Sequence, residues 1–100
     1  MAKVTRIKTS NFTILSNELV RDSELSWKAR GIFGYIFSQP DDWQFFETEL
    51  VNHSTDGRSA TRSGIAELEK KGYLKRMRSR DEKGRLKTSE WIISDAPMFD

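Results

Sequence analysis

Residues 47–74 read ETELVNHSTDGRSATRSGIAELEKKGYL, two helical segments parted by a tight turn. Glu47 to Asn52 opens with acidic residues, which suit the positive end of a helix, and Leu50 and Val51 are its inward pair. His53-Ser54-Thr55-Asp56 has the composition of a turn, and Asp56 is a residue type that caps a following helix. Gly57 to Lys71 then follows a helical period. At 100° per residue Thr61, Gly64, Ile65 and Leu68 gather on one side, the expected core face. Ser59, Arg62, Ser63, Ala66, Glu67 and Lys70 gather on the other. Gly72 stands where a left-handed residue ends a helix.

Beyond Gly72 the period changes to two. Tyr73 to Arg80 alternates as a strand, and Asp81-Glu82-Lys83-Gly84 is a hairpin turn with Gly84 in its left-handed position. Arg85 to Ser94 returns, with Trp91 and Ile93 on one face and Ile92 on the other. Upstream, Leu25, Ala29, Ile32, Phe33, Ile36 and Phe37 mark one face of a helix capped by Ser26 and stopped before Pro40. Gly31 and Gly34 inside it each cost about 1 kcal/mol against Ala, which predicts a second element packed close to this helix.

Phe12 to Leu15 is a short β-rich run after a basic, frayed start, and Ser16 caps a helical turn, Asn17 to Arg21, with Leu19 and Val20 inward. Trp43, Phe45 and Phe46 form a short buried extended stretch and share the core with Tyr73 and Trp91. Residues 96–100 are expected to be loose. The order is strand, helix, helix, turn, helix, strand, hairpin, strand. The expected class is α+β, a winged helix-turn-helix of three main helices plus a basic C-terminal β-hairpin wing, as one domain over residues 1–100.

At 100 residues and 36% hydrophobic, one modest core is possible. With no Cys, disulfides and thiolate metal sites are excluded. His53 is the one histidine, Asp41-Asp42 reads as a loop pair, and no phosphate-binding or dinucleotide motif occurs, so no enzyme, cofactor or metal is expected. No apolar run reaches the roughly 18 residues that span a membrane, and a cytoplasmic, nucleoid-associated protein is expected.

The net charge of +2 conceals a sorted distribution. Between Lys70 and Lys87 nine basic residues face two acidic ones, whereas residues 21–56 hold seven acidic and three basic. The pattern points to double-stranded DNA. On the helix, Arg58, Ser59, Arg62, Ser63 and Lys70 are the candidate contacts. Small residues let the axis approach a groove, Arg62 can reach base edges or phosphates, and Arg58 and Ser59 sit by free N–H groups that suit a phosphate. On the wing, Lys75, Arg76, Arg78, Arg80, Lys83, Arg85 and Lys87 are the sequence-blind grip. Glu67 either accepts from a cytosine amino group or pairs with Lys70 or Lys71. The acidic first half is expected to face away from DNA, towards a basic protein partner, and Trp27 is a candidate dimer contact.

Phe12-Thr-Ile-Leu15, Leu25-Ser-Trp-Lys-Ala-Arg-Gly31, Pro40-Asp-Asp-Trp43, Asp56-Gly-Arg58, Leu68-Glu-Lys-Lys-Gly-Tyr-Leu74 and Trp91-Ile-Ile93 form an ordered set across nearly the whole chain. This set resembles the N-terminal winged helix domain of DnaD-like replication initiators and replisome organisers of Gram-positive bacteria and their phages. The resemblance implies origin DNA binding in replication initiation, a homo-oligomer, and recruitment of a replicative helicase or helicase loader. It also implies a C-terminal domain, making this chain the N-terminal part of a longer protein. Two other readings stay open: a winged helix transcriptional regulator, and an oligomerisation or protein-interaction module of a replication protein.

Overall fold

Six elements follow from these patterns: α1 (Asn17–Val20), α2 (Trp27–Phe37), α3 (Glu47–Asn52), α4 (Gly57–Lys71), β1 (Leu74–Arg80) and β2 (Leu86–Ile93). The computed structural model describes residues 1–80, 82–84 and 86–99, with residues 78–80 and 86–89 described by backbone alone. Among the described residues the fold is α+β, four helices and a two-stranded antiparallel sheet. No helix among them is long and apolar enough to cross a membrane.

The two long helices form where the apolar period is sustained. Ser26 caps α2, its hydroxyl accepting from the Ala29 N–H at 3.1 Å. Ala29, Phe33 and Ile36 are buried, with Ile32 and Phe37 half-buried beside them. On α4 all four core-face residues, Thr61, Gly64, Ile65 and Leu68, are buried against this stripe. Gly72 ends α4 at φ 86°, a left-handed conformation that costs glycine little. The chain then turns into β1, with Tyr73 and Leu74 buried. Leu74 lies opposite Ile93 and Arg76 opposite Trp91, and the register slips between Ser79 and Arg80. Gly84 takes its left-handed turn conformation at φ 80°.

A row of rings closes the α2 side onto the sheet. Tyr35 meets Trp43 edge-on at 6.0 Å, Trp43 stacks on Phe45 at 4.5 Å, and Phe45 meets Trp91 edge-on at 5.0 Å. These offset and edge-to-face geometries favour aromatic pairs.

Several expectations are corrected. Phe12 to Leu15 forms no strand. Asn11 sits at φ 62°, which turns the chain just before the run, and Phe12 and Ile14 are exposed while Leu15 alone packs on the core. Helix α1 stops at Val20, and a helix so short buries one side chain, Leu19, leaving Val20 exposed. Phe46 is 76% exposed at the head of α3, since its neighbour Phe45 takes the inward position. Asp56 precedes α4 but is already helical at φ −70° and ψ −29°, so its carboxylate makes no cap bond. The second element expected close to α2 is there, α4, but the close approach lies at Gly64 and not at Gly31, which meets nothing, or Gly34, which meets Leu15.

Residues 96–99 are not loose, and Asp100 lies outside the described residues. At the end of α4 the Gly72 carbonyl has no helical donor. It accepts from the N–H groups of Met98 at 2.9 Å and Phe99 at 3.0 Å. The Asp95 carboxylate accepts from the Ser16 N–H at 2.9 Å, which ties the tail to the start of α1.

Candidate nucleic-acid interface

Packing of Thr61, Gly64, Ile65 and Leu68 onto α2 leaves the opposite side of α4 to solvent. Arg58, Ser59, Arg62, Ser63, Ala66 and Lys70 are exposed there. The helix thus brings five of the proposed contacts together on one surface. Arg62 already has a partner: its Nε donates to Glu47 Oε1 at 2.8 Å, while the side chain stays 59% exposed. A surface pair of this kind is worth about 0–1 kcal/mol, so a phosphate or a base edge can displace the carboxylate.

Glu67 pairs with neither Lys70 nor Lys71. Its carboxylate accepts from the Ser26 N–H at 2.8 Å and the Ser26 hydroxyl at 2.7 Å, and Lys28 approaches to 3.3 Å. The Ser26 N–H, its hydroxyl and Lys28 hold the Glu67 carboxyl below the ordinary glutamate value. Glu67 therefore acts on α2, supporting the cap of that helix from α4.

The wing residues divide. On β1, alternation turns Arg76 towards the body, where it pairs with Glu69 and its guanidinium lies 5.5 Å from the centre of the Trp91 ring. The Glu69 carboxylate keeps the Arg76 guanidinium strongly protonated. Lys75, one residue earlier, is exposed, as is Lys83 on the hairpin turn. Arg85 and the side chains of Arg78, Arg80 and Lys87 lie outside the described residues.

The acidic first half is not set apart from the basic second half. Glu24 pairs with Lys71, and Glu47 with Arg62. Asp22 accepts from the Tyr73 hydroxyl at 2.8 Å and the Glu24 N–H at 2.9 Å, which lowers its carboxyl pKa, while burial first and then the bond to Asp22 raise that of the phenol. Trp27 is 81% exposed, and the Arg30 guanidinium lies 4.3 Å from its ring centre. His53 packs its ring against Tyr35 at 4.7 Å, and no cluster of three metal-ligating side chains occurs among the described residues.

Sequence reasoning missed Glu47, Glu67 and Glu69 as the groups that hold Arg62, Ser26 and Arg76. For Arg76 a signal existed, since it stands two residues from the buried Leu74 and so on the same strand face. Comparison with protein-family models, characterised proteins and solved structures found no match for this chain.

Proposed function

We propose that this chain is a winged helix-turn-helix domain that binds double-stranded DNA, with α4 in the major groove and the hairpin against the backbone. One observation carries the reading. Helices α3 and α4, joined by the four-residue turn 53–56, run straight into an antiparallel hairpin, and α4 presents Arg58, Arg62 and Lys70 among small side chains. Arg62 reads bases once it leaves Glu47. Lys75, Arg78, Arg80, Lys83, Arg85 and Lys87 grip phosphates without regard to sequence. Arg76 anchors the hairpin root and supplies less of that grip, because Glu69 already neutralises it.

Duplex binding measured across salt concentration tests the reading. With about five phosphates neutralised, log K falls against log salt with a slope of roughly −4 to −5. A slope near zero, or unchanged affinity when Arg62→Ala and Arg78→Ala are combined, overturns it. The ordered motifs resembling replication initiators support a role at a replication origin. Preference for repeats in the chain's own replication region over a promoter operator is the expected result.

A further inference from the structure

The chain before α1 carries charge that the fold does not use. Lys3, Arg6 and Lys8 stand there, and the first acidic residue is Glu18. No helix or strand forms ahead of α1 among the described residues, and residues 1–14 are all exposed. The body begins at Leu15, packed on the core, and at Ser16, whose N–H donates to Asp95. Residues 9–14 read Thr-Ser-Asn-Phe-Thr-Ile and hold no charge. The three cations therefore sit at the far end of a neutral tether.

The length of that tether matters. Leu15 meets Gly34, about 200° round α2 from Ile32, the side chain nearest Gly64 of α4. The arm thus starts across α2 from the outward side of α4, about 20 Å away over two packed helices. Counted from Leu15, Lys8 reaches at most about 25 Å, Arg6 about 32 Å and Lys3 about 43 Å. Lys8 just clears the two helices, and Arg6 and Lys3 pass them. On the body, Asp22, Glu24, Glu47, Glu67 and Glu69 each already hold a partner. A duplex offers a denser anion, one charge per about 1.7 Å of its axis.

We infer that residues 3–8 are a third DNA contact, an arm that lies along the phosphate backbone beside the stretch held by α4 and the hairpin. The inference rests on the DNA reading above and extends it to a segment outside the folded body. Lys3, Arg6 and Lys8 take one phosphate each, without regard to sequence. Val4 and Ile7, 82% and 91% exposed, take no part in the grip. The arm widens the footprint and adds affinity, but no discrimination between sequences.

Two measurements on the full chain test the arm apart from the rest of the interface. Trypsin cuts after lysine and arginine, and mass spectrometry follows the cuts after Lys3, Arg6 and Lys8. A saturating duplex should slow them several-fold. In the second measurement, Lys3→Ala, Arg6→Ala and Lys8→Ala are combined, and duplex binding is titrated with salt. All three positions are exposed, and circular dichroism checks that the helices persist. The slope of log K against log salt should become shallower by about 2 to 3, and Kd at 0.1 M salt should rise roughly tenfold, by the same factor on preferred and random duplexes. Val4→Ser with Ile7→Ser should leave slope and Kd unchanged. Duplex binding with the arm cut as fast as before, or a charge variant with an unaltered slope, overturns the inference and leaves the DNA reading standing. An equal loss from the apolar pair also overturns it and marks an arm that packs on protein. A slope near zero for the unaltered chain overturns both.

Discussion

The two sides of α4 both rely on small residues, for opposed ends. On the side facing α2, a Cβ placed on Gly64 would fall 2.5 Å from the Ile32 Cδ1 and 3.5 Å from the Ala29 Cα. Smallness there lets two helices close on each other, with Ile65 and Leu68 completing the seam. On the outward side Ser59, Ser63 and Ala66 are exposed, and the large residues among them are cations. Smallness there leaves room for something outside the chain. Side-chain size thus acquires meaning only from what stands opposite, and charged groups around α4 obey the same rule. Glu67 and Lys28 belong to the seam, while Arg58 and Lys70 belong to the outward side.

The largest expected effect breaks the seam alone. Gly64→Val should lower the free energy of unfolding by about 3 kcal/mol through overpacking, whereas Ser63→Val next door should change it by about 0.5 kcal/mol. Chemical denaturation of both variants compares them directly, and equal losses would erase the distinction between the sides. Arg62→Ala should do the reverse. It should cost roughly 2 kcal/mol on the preferred duplex and less on random DNA, with unfolding changed by no more than about 0.5 kcal/mol. Fluorescence anisotropy with two duplexes reads the first, denaturation the second.

Glu67→Ala should cost about 1–2 kcal/mol of stability, because the Ser26 N–H and hydroxyl lose a charged acceptor. Its pH dependence sharpens the assignment. The folded-state pKa of Glu67 lies below the ordinary 4.5, so its contribution is complete above that value and fades as pH falls below it. Asp22, lowered from 3.8 by the Tyr73 hydroxyl, adds a loss in the same direction at lower pH. Thermal melts from pH 7 to pH 3 should therefore converge for the unaltered chain and the Glu67→Ala variant. Smallest of all, Glu47→Gln should tighten duplex binding two- to threefold, within the range of about 0–1 kcal/mol for a surface pair. A weakened variant would mean that Glu47 positions Arg62 for DNA instead of competing for it.

The parts legible in the sequence are those whose cause is local. Helices α2 and α4 show their bounds because an apolar period runs their whole length, Ser26 stands at one start and Gly72 at one end. The hairpin is legible for the same reason. What escaped depends on partners far along the chain. Glu67 reaches Ser26 across 41 residues and Asp95 reaches Ser16 across 79, so neither pairing leaves a trace in spacing. The run Phe12 to Leu15 has strand composition, but composition cannot supply the neighbouring strand it needs. In the candidate site, counting cations marked the hairpin correctly as a basic segment. It could not tell Arg76, spent on Glu69 and Trp91, from Lys75, which faces solvent.

The bond from the Ser16 N–H to Asp95 also keeps time. Joining points 79 residues apart costs roughly 4 kcal/mol of loop-closure entropy in a chain not yet ordered. The helices and hairpin, built from near neighbours, need no such gathering and can form earlier. Protection of the Ser16 amide against hydrogen exchange therefore dates the final closure of the molecule. In a refolding experiment sampled by brief exchange pulses, that single amide should be among the last to fall silent.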